Sequence, residues 1–501
     1  MAEPVEHLDV LIVGAGLSGI GAACHLQADC PGKTYAILEA REASGGTWDL
    51  FRYPGIRSDS DMFTLGYAFK PWTEARAIAD GPSILNYIRE TAREHGVERR
   101  IRCSRRVVRA AWSSERARWT VDVERTDTGE REQLTCSFLY GCTGYYRYDE
   151  GYSPRFPGAE RFRGEIVHPQ HWPERLDYAG KRVVVIGSGA TAVTLIPAMA
   201  ELGAAHVTML QRSPSYVFSL PGHDPLAELI RRLLPPARAY PLVRWKNVLL
   251  ASLMYQLSRR RPAFMRRVLR SGVERRLPPG FDVDTHFNPS YEPWDQRLCL
   301  VPDGDLFKTV RDGKASIVTD RIETFTETGI KLASGAELEA DVIVTATGLN
   351  LLLFGGIELA VDGRDVAFPE LVGYKGIMFS GLPNLALTLG YTNASWTLKA
   401  DLAASWVCRL LNHMDRCGYA VVTPRRPDPG APTHPFIDLR SGYVLRSLDQ
   451  LPKQGDRTPW RLHQNYPRDV MLLKRGPIDD GALDFARAPV AATPPTEPLA
   501  V

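Results

Sequence analysis

Two glycine-rich turns carry the first chemistry that can be read from this chain. Gly14-Ala-Gly16-Leu-Ser-Gly19 follows the apolar run 10–13 and opens a helical stretch at 20–27. Glycines in such a turn let backbone N–H groups close on a pyrophosphate at a helix N-terminus. Glu39 lies twenty residues beyond the third glycine, at the end of a second apolar run, 35–38. A carboxylate there accepts hydrogen bonds from a free ribose 2′-OH, as in the adenosine of FAD or NAD. The second turn is Gly187-Ser-Gly189-Ala-Thr-Ala192, with alanine in the third place, which the pattern tolerates. At the same twenty-residue offset stands Arg212, followed by Ser213. A guanidinium pairs with a phosphate dianion, so the second nucleotide is expected to carry a 2′-phosphate, which favours NADPH over NADH. An FAD turn followed by an NADPH turn describes a flavoprotein reduced by NADPH. No dithiol is available for a disulfide reductase, which leaves dioxygen as the electron acceptor.

The elements that must position these turns follow one plan, used twice. Strand, glycine turn, helix and strand form a βαβ unit over residues 10–38, followed by a helix near 84–96. The alternating runs 107–112, 119–123 and 134–139 read as an antiparallel meander closing on Thr143-Gly144. The plan then recurs, with a strand at 182–186, a helix at 193–202, strands at 206–210, 322–325 and 330–332, and a closing strand at 342–345. The expected fold is α/β, with two Rossmann-like dinucleotide-binding domains, the second inserted into the first. The FAD domain is expected at 1–150 and 341–420, the NADPH domain at 151–221 and 296–340, a helical insert at 222–295 and a C-terminal extension at 421–501. The Pro/Ala-rich end, 489–501, is expected to be disordered.

Composition narrows the class. The chain has 501 residues, 44% of them hydrophobic, and 61 Lys+Arg against 58 Asp+Glu, an excess too small to hold nucleic acid by charge. Cys24, Cys30, Cys103, Cys136, Cys142, Cys299, Cys408 and Cys417 are scattered with no Cys-x-x-Cys pair, so neither a zinc module nor any other metal site is expected. No apolar run reaches the ~20 residues of a membrane span, and the first residues lack the pattern of a secretory leader; the expected location is cytoplasmic. Residues 225–277 are rich in arginine with apolar residues between. This insert reads either as a solvated helical subdomain whose apolar face covers the substrate cavity, or as a peripheral contact with an anionic membrane.

Between the two turns stands Phe162-Arg-Gly164-Glu-Ile-Val-His168-Pro-Gln-His-Trp172-Pro173. It resembles, position for position, the fingerprint of type I Baeyer–Villiger monooxygenases within the flavin-dependent monooxygenases. Gly45-Gly46-Thr47-Trp48 and Arg52-Tyr53-Pro54-Gly55 are similar to that family's flavin-contacting loop, and Asp59 to the acid kept near the flavin ring. Pro293-Trp294-Asp295-Gln296-Arg297 resembles the segment supplying the active-site arginine. Residues 390–396 and Gln211-Arg212-Ser213-Pro214 are most similar to the branch that contains the ethionamide-activating monooxygenase. Gln296 departs from members with lysine there, leaving Arg212 and Ser213 to hold the 2′-phosphate.

The resemblance implies an NADPH-consuming enzyme that inserts one oxygen atom of O2 into ketones, giving esters or lactones through a C4a-peroxyflavin, and that also oxidises sulfides. It implies Arg297 as the cation stabilising the charged adduct and Asp59 as the group orienting it. His168 would have a structural or gating role on the interdomain linker, with Trp172 packing nearby; His171 has no assigned role. An alternative is an N- or S-oxygenase using the protonated hydroperoxyflavin. A nucleotide-binding protein without catalysis is a third reading.

Overall fold

The computed structural model describes residues 5–428 and 430–488. Its first sheet has nine strands. His7–Val13 is an interior strand, parallel to Tyr35–Leu38 on one side and to Arg131–Gly141 on the other. Val10, Leu11 and Ile12 are fully buried, which is why the run reads as continuously apolar instead of alternating. Arg131–Gly141 joins two architectures. Its early residues pair antiparallel with Arg118–Arg125 in the meander, and its later ones run parallel with His7–Val13 and Leu385–Leu387.

The second sheet is wholly parallel, in the order Ala315–Thr319, His206–Gln211, Arg182–Ile186, Val342–Thr345, Glu165–Val167. Val342–Thr345 therefore belongs to the second sheet, and the expected boundary at 340/341 is wrong. The strand must be carried with the second domain because its partners, Arg182–Ile186 and Glu165–Val167, are there. The chain returns to the first sheet through Glu358–Val361, which pairs with the meander strand Arg105–Ser113.

Helix Trp396–Cys417 then packs along helix Leu17–Asp29, burying Leu402, Trp406, Val407 and Leu410 in one core with Ile20 and Ala23. Large side chains such as these contribute about 1.5–3 kcal/mol each when fully buried. The segment expected as a C-terminal extension is built into the first domain. Val421–Pro424 pairs with Leu483–Ala486, and Phe436, Ile437 and Val444 join the core beneath the meander. The expectation for residues 489–501 lies outside the described residues.

The insert forms the helices Pro225–Leu233, Pro236–Arg260 and Pro262–Glu274, followed by the short helix Val283–Phe287. Among the described residues no helix is long and apolar enough to cross a membrane.

Candidate active site

The two glycine turns open into one cavity of about 1780 Å³ between the sheets. The first turn is made tight by contact. A methyl group on Gly14 would sit 2.6 Å from the Cys142 carbonyl oxygen, at a φ of +104° that side chains avoid. Gly19 lets the helix approach so closely that a methyl there would fall 1.8 Å from the Gly14 carbonyl oxygen. In the second turn Gly187 makes the corresponding approach to Ala346, and Ala192 is completely buried.

Helices Leu17–Asp29 and Ala190–Glu201 both begin at a glycine, Gly16 and Gly189. Neither has a side-chain cap or an acid in its first turn. Uncapped N–H donors, the positive end of a helix dipole and no competing carboxylate form an anion cradle. Both turns therefore fit the pyrophosphate of a dinucleotide.

Glu39 is buried at the end of Tyr35–Leu38. Its Oε2 accepts from the Ala15 N–H at 2.8 Å and its Oε1 from the Arg41 N–H at 3.0 Å, while burial raises its pKa. Gly46, Thr47 and Trp48 line the cavity beside the first turn, with the Thr47 hydroxyl 3.2 Å from that of Tyr148. Arg212 and Ser213 stand exposed at the rim of the second turn, and Arg212 has no carboxylate partner among the described residues.

Asp59 and Arg297, far apart in sequence, meet inside the cavity. Arg297 donates from Nη2 to Asp59 Oδ1 at 2.9 Å, and its Nε lies 2.7 Å from Oδ2. The Asp59 charge holds the guanidinium pKa above its ordinary value, outweighing desolvation. Around the pair stand Tyr145, Tyr146 and Tyr443, whose phenols burial keeps protonated. Tyr145 stacks on Trp396 with centroids 5.3 Å apart, and Trp396 donates its indole N–H to Ser18 Oγ at 2.7 Å. These tyrosines were not singled out from sequence. Tyr145 and Tyr146 directly follow Gly144, at the end of the first sheet's longest strand, which is the one signal that marks them.

The loop carrying Asp59 is wedged between the domains. A methyl on Gly55 would lie 2.6 Å from the Ala198 side chain, so the loop reaches the second-domain helix because position 55 has no side chain. Arg57 forms an ion pair with Asp305, the first residue of a second-domain helix.

No residue of the Phe162–Pro173 segment lines the cavity. Phe162 is buried near Phe325, and Gly164 lets the chain pass the Asp341 carbonyl. His168 Nδ1 accepts from the Gln170 N–H at 3.1 Å, its ring covers Gly151, and burial lowers its pKa. The His168 ring thus lies against Gly151, the last residue of the strand Tyr146–Gly151 that pairs with Leu349–Leu351. Trp172 meets Tyr178 edge-on at 6.5 Å, and Pro173 is exposed. No residue of 222–295 lines the cavity, so the insert does not cover it as one reading expected. Instead it braces the segment before Arg297, through Tyr255 against Trp294 and Arg259 to Asp295 at 2.7 Å.

A family model described as flavin-binding monooxygenase-like matches residues 77–416 of this chain. The chain belongs to that family. A second model, of an NAD(P)-binding Rossmann-like domain, matches residues 12–77, the first glycine turn of this flavin-binding monooxygenase. The FAD-containing monooxygenase EthA of Mycobacterium tuberculosis is 60% identical over 484 residues, covering 97% of this chain and 99% of the relative. Among solved structures, an oxidised steroid monooxygenase bound to NADP superposes with a TM-score of 0.74 at 24% identity, covering 96% of this chain and 99% of that one. A complex of OTEMO with FAD and NADP gives a TM-score of 0.74 at 22% identity, covering 96% and 100%. At those identities the likeness establishes the two-domain fold. The chain is a flavoprotein monooxygenase, and its two cradles fit groups of the size and charge of FAD and NADP.

Proposed function

We propose that this monooxygenase converts ketones to esters or lactones with one atom of O2 and NADPH, and that it also oxidises thioether sulfur. FAD would be held by Gly14, Gly16, Gly19, Glu39 and the Gly46–Trp48 loop, and NADPH by Gly187, Gly189, Ala192, Arg212 and Ser213. When bound, these groups supply the reducing equivalents and the activation of dioxygen. The observation that carries the reading is the bidentate Arg297–Asp59 pair inside the cavity.

Attack on a ketone carbonyl places negative charge on oxygen, and a fixed cation stabilises that charge more in the transition state than in the ground state. Arg297 is charged at every working pH. Asp59 takes its Nε and Nη2 donors, which fixes the guanidinium plane and leaves Nη1 with no protein partner among the described residues. Asp59 acts through Arg297, as a positioning residue. The protonated phenols of Tyr145, Tyr146 and Tyr443 stand around the pair, whose side chains stay 34% and 29% exposed. Oxidation at sulfur needs no such cation, so the two activities should separate on substitution.

Supplying a panel of ketones and thioethers separately, with product masses recorded, tests the reading. Ester from at least one ketone is the expected result; sulfoxide with no ester from any ketone overturns it in favour of the N- or S-oxygenase. Arg297→Ala should leave anaerobic bleaching of the flavin by NADPH intact and lower ester formation about 100-fold to 1000-fold. An unchanged ester yield would remove Arg297 from the chemistry.

A further inference from the structure

The helical insert carries apolar side chains that stand exposed among the described residues. On helix Pro236–Arg260, Ala239, Tyr240, Val243 and Val248 are buried against the first domain. Leu242, Trp245, Leu249 and Leu253 recur at helical spacing on the other side, Leu253 being 63% exposed. The preceding helix adds Leu226, Leu229 and Leu233, the last 71% exposed, and the following helix adds Phe264 and Val268. The long helix packs against both of these neighbours, so the three stripes stand on adjoining elements. Exposed apolar side chains clustered in this way mark an interaction site.

Charge decides what it meets. Residues 225–274 hold eleven Lys and Arg against two Asp and Glu, and although Arg244, Lys246, Arg259, Arg266 and Arg270 pair with carboxylates, the others leave the insert positive while the whole chain has a net charge of only +3. Arg232, Arg238, Arg260 and Arg261 are exposed and have no carboxylate partner among the described residues. A second copy docking through the same face would bring this positive surface against itself. An anionic surface would be attracted by it, and an apolar stripe flanked by free arginines is the form of an interfacial helix.

We propose that the insert docks the protein on an anionic lipid surface, with the leucine stripes entering the interface and the unpaired arginines meeting the headgroups. This contact is independent of the reaction assigned to the cavity, because no residue of the insert lines that cavity.

The test is flotation of the flavin-loaded enzyme with phosphatidylglycerol-containing vesicles and, in parallel, with pure phosphatidylcholine vesicles. The enzyme is expected to float with the first, to be released by high salt, and to stay behind with the second. Leu249→Glu/Leu253→Glu and Arg260→Glu/Arg261→Glu should each lower the bound fraction roughly tenfold or more. Flavin content and far-UV circular dichroism should remain unchanged, which shows that both variants fold. Failure of the wild type to float with anionic vesicles overturns the proposal, as does equal, salt-insensitive binding to phosphatidylcholine. A dimer that Leu249→Glu/Leu253→Glu dissociates, without flotation, would identify a second copy as the occupant and would also overturn it.

Discussion

The two nucleotide cradles share a turn and differ at the far end of it. In the first, the acid is already engaged: Glu39 is buried and both its oxygens accept backbone N–H groups of the chain. In the second, Arg212 is exposed and waits without a carboxylate partner among the described residues. The glycines differ in the same sense. A methyl on Gly16 would touch Gly46 at 3.5 Å, whereas one on Gly189 would have no neighbour within 4 Å. A closed, preformed cradle lowers the cost of holding a group permanently. An open one with a free cation suits a group that arrives, reacts and leaves. On the proposed assignment one motif would serve a resident cofactor and an exchanging one, the difference lying in what surrounds the motif.

The comparison breaks most readily at Gly14. Gly14→Ala combines an unfavourable φ with a methyl 2.6 Å from a backbone carbonyl oxygen. It should cost about 2–4 kcal/mol of stability and release the flavin. Urea unfolding together with the flavin-to-protein ratio checks this, and a variant that stays yellow with an unshifted midpoint would show the first turn to be looser than the contacts imply.

Glu39→Gln comes next. An amide cannot accept from both the Ala15 and Arg41 N–H groups, because its NH2 must face one of them. The loss should be about 1–3 kcal/mol in stability, with flavin shed on dilution. If only flavin retention falls and the unfolding midpoint holds, the carboxylate serves the ligand alone and the cradle is not preformed.

How much of this was legible in the sequence follows from the range of each interaction. Gly14 to Glu39 and Gly187 to Arg212 are local patterns, set by one strand–turn–helix–strand unit, and their spacing carries them. The strand Val342–Thr345 was legible as a strand, but its place in the second sheet depends on pairing with residues more than 150 positions earlier, which no local pattern records. Asp59 and Arg297 became candidates through resemblance, each on its own segment; their bidentate contact is a property of the folded interdomain cleft. Tyr443 joins them from a segment read as a mere extension, and phenols around a guanidinium obey no spacing rule. The basic insert was visible as composition, whereas which of its faces is buried is decided by the first domain against which it packs.

The second cradle is probed by Arg212→Ala. Losing a charge-assisted pair with a phosphate should raise KM for NADPH roughly 10-fold to 100-fold while kcat and the kinetics with NADH hold steady. Steady-state kinetics with both nucleotides checks it. An equal rise for NADH would mean that Arg212 grips something other than the 2′-phosphate.

The smallest effect on the fold is expected at Gly189, and it sharpens the contrast most. Gly189 has φ −82° and ψ −176°, an extended conformation that any residue adopts, and open space where a Cβ would go. Gly189→Ala should therefore change stability by less than about 0.5 kcal/mol, in contrast to the same methyl at Gly14. The space matters only when a pyrophosphate needs it, because the second glycine of the turn is where backbone and phosphate approach most closely. NADPH binding should then weaken by about tenfold with the unfolding midpoint unmoved. Measuring both on one preparation separates the two demands on a glycine: at Gly14 the chain itself requires the missing side chain, and at Gly189 the arriving nucleotide does. If Gly189→Ala binds NADPH as the wild type does, that space is not reserved for the nucleotide, and the assignment of the second cradle falls.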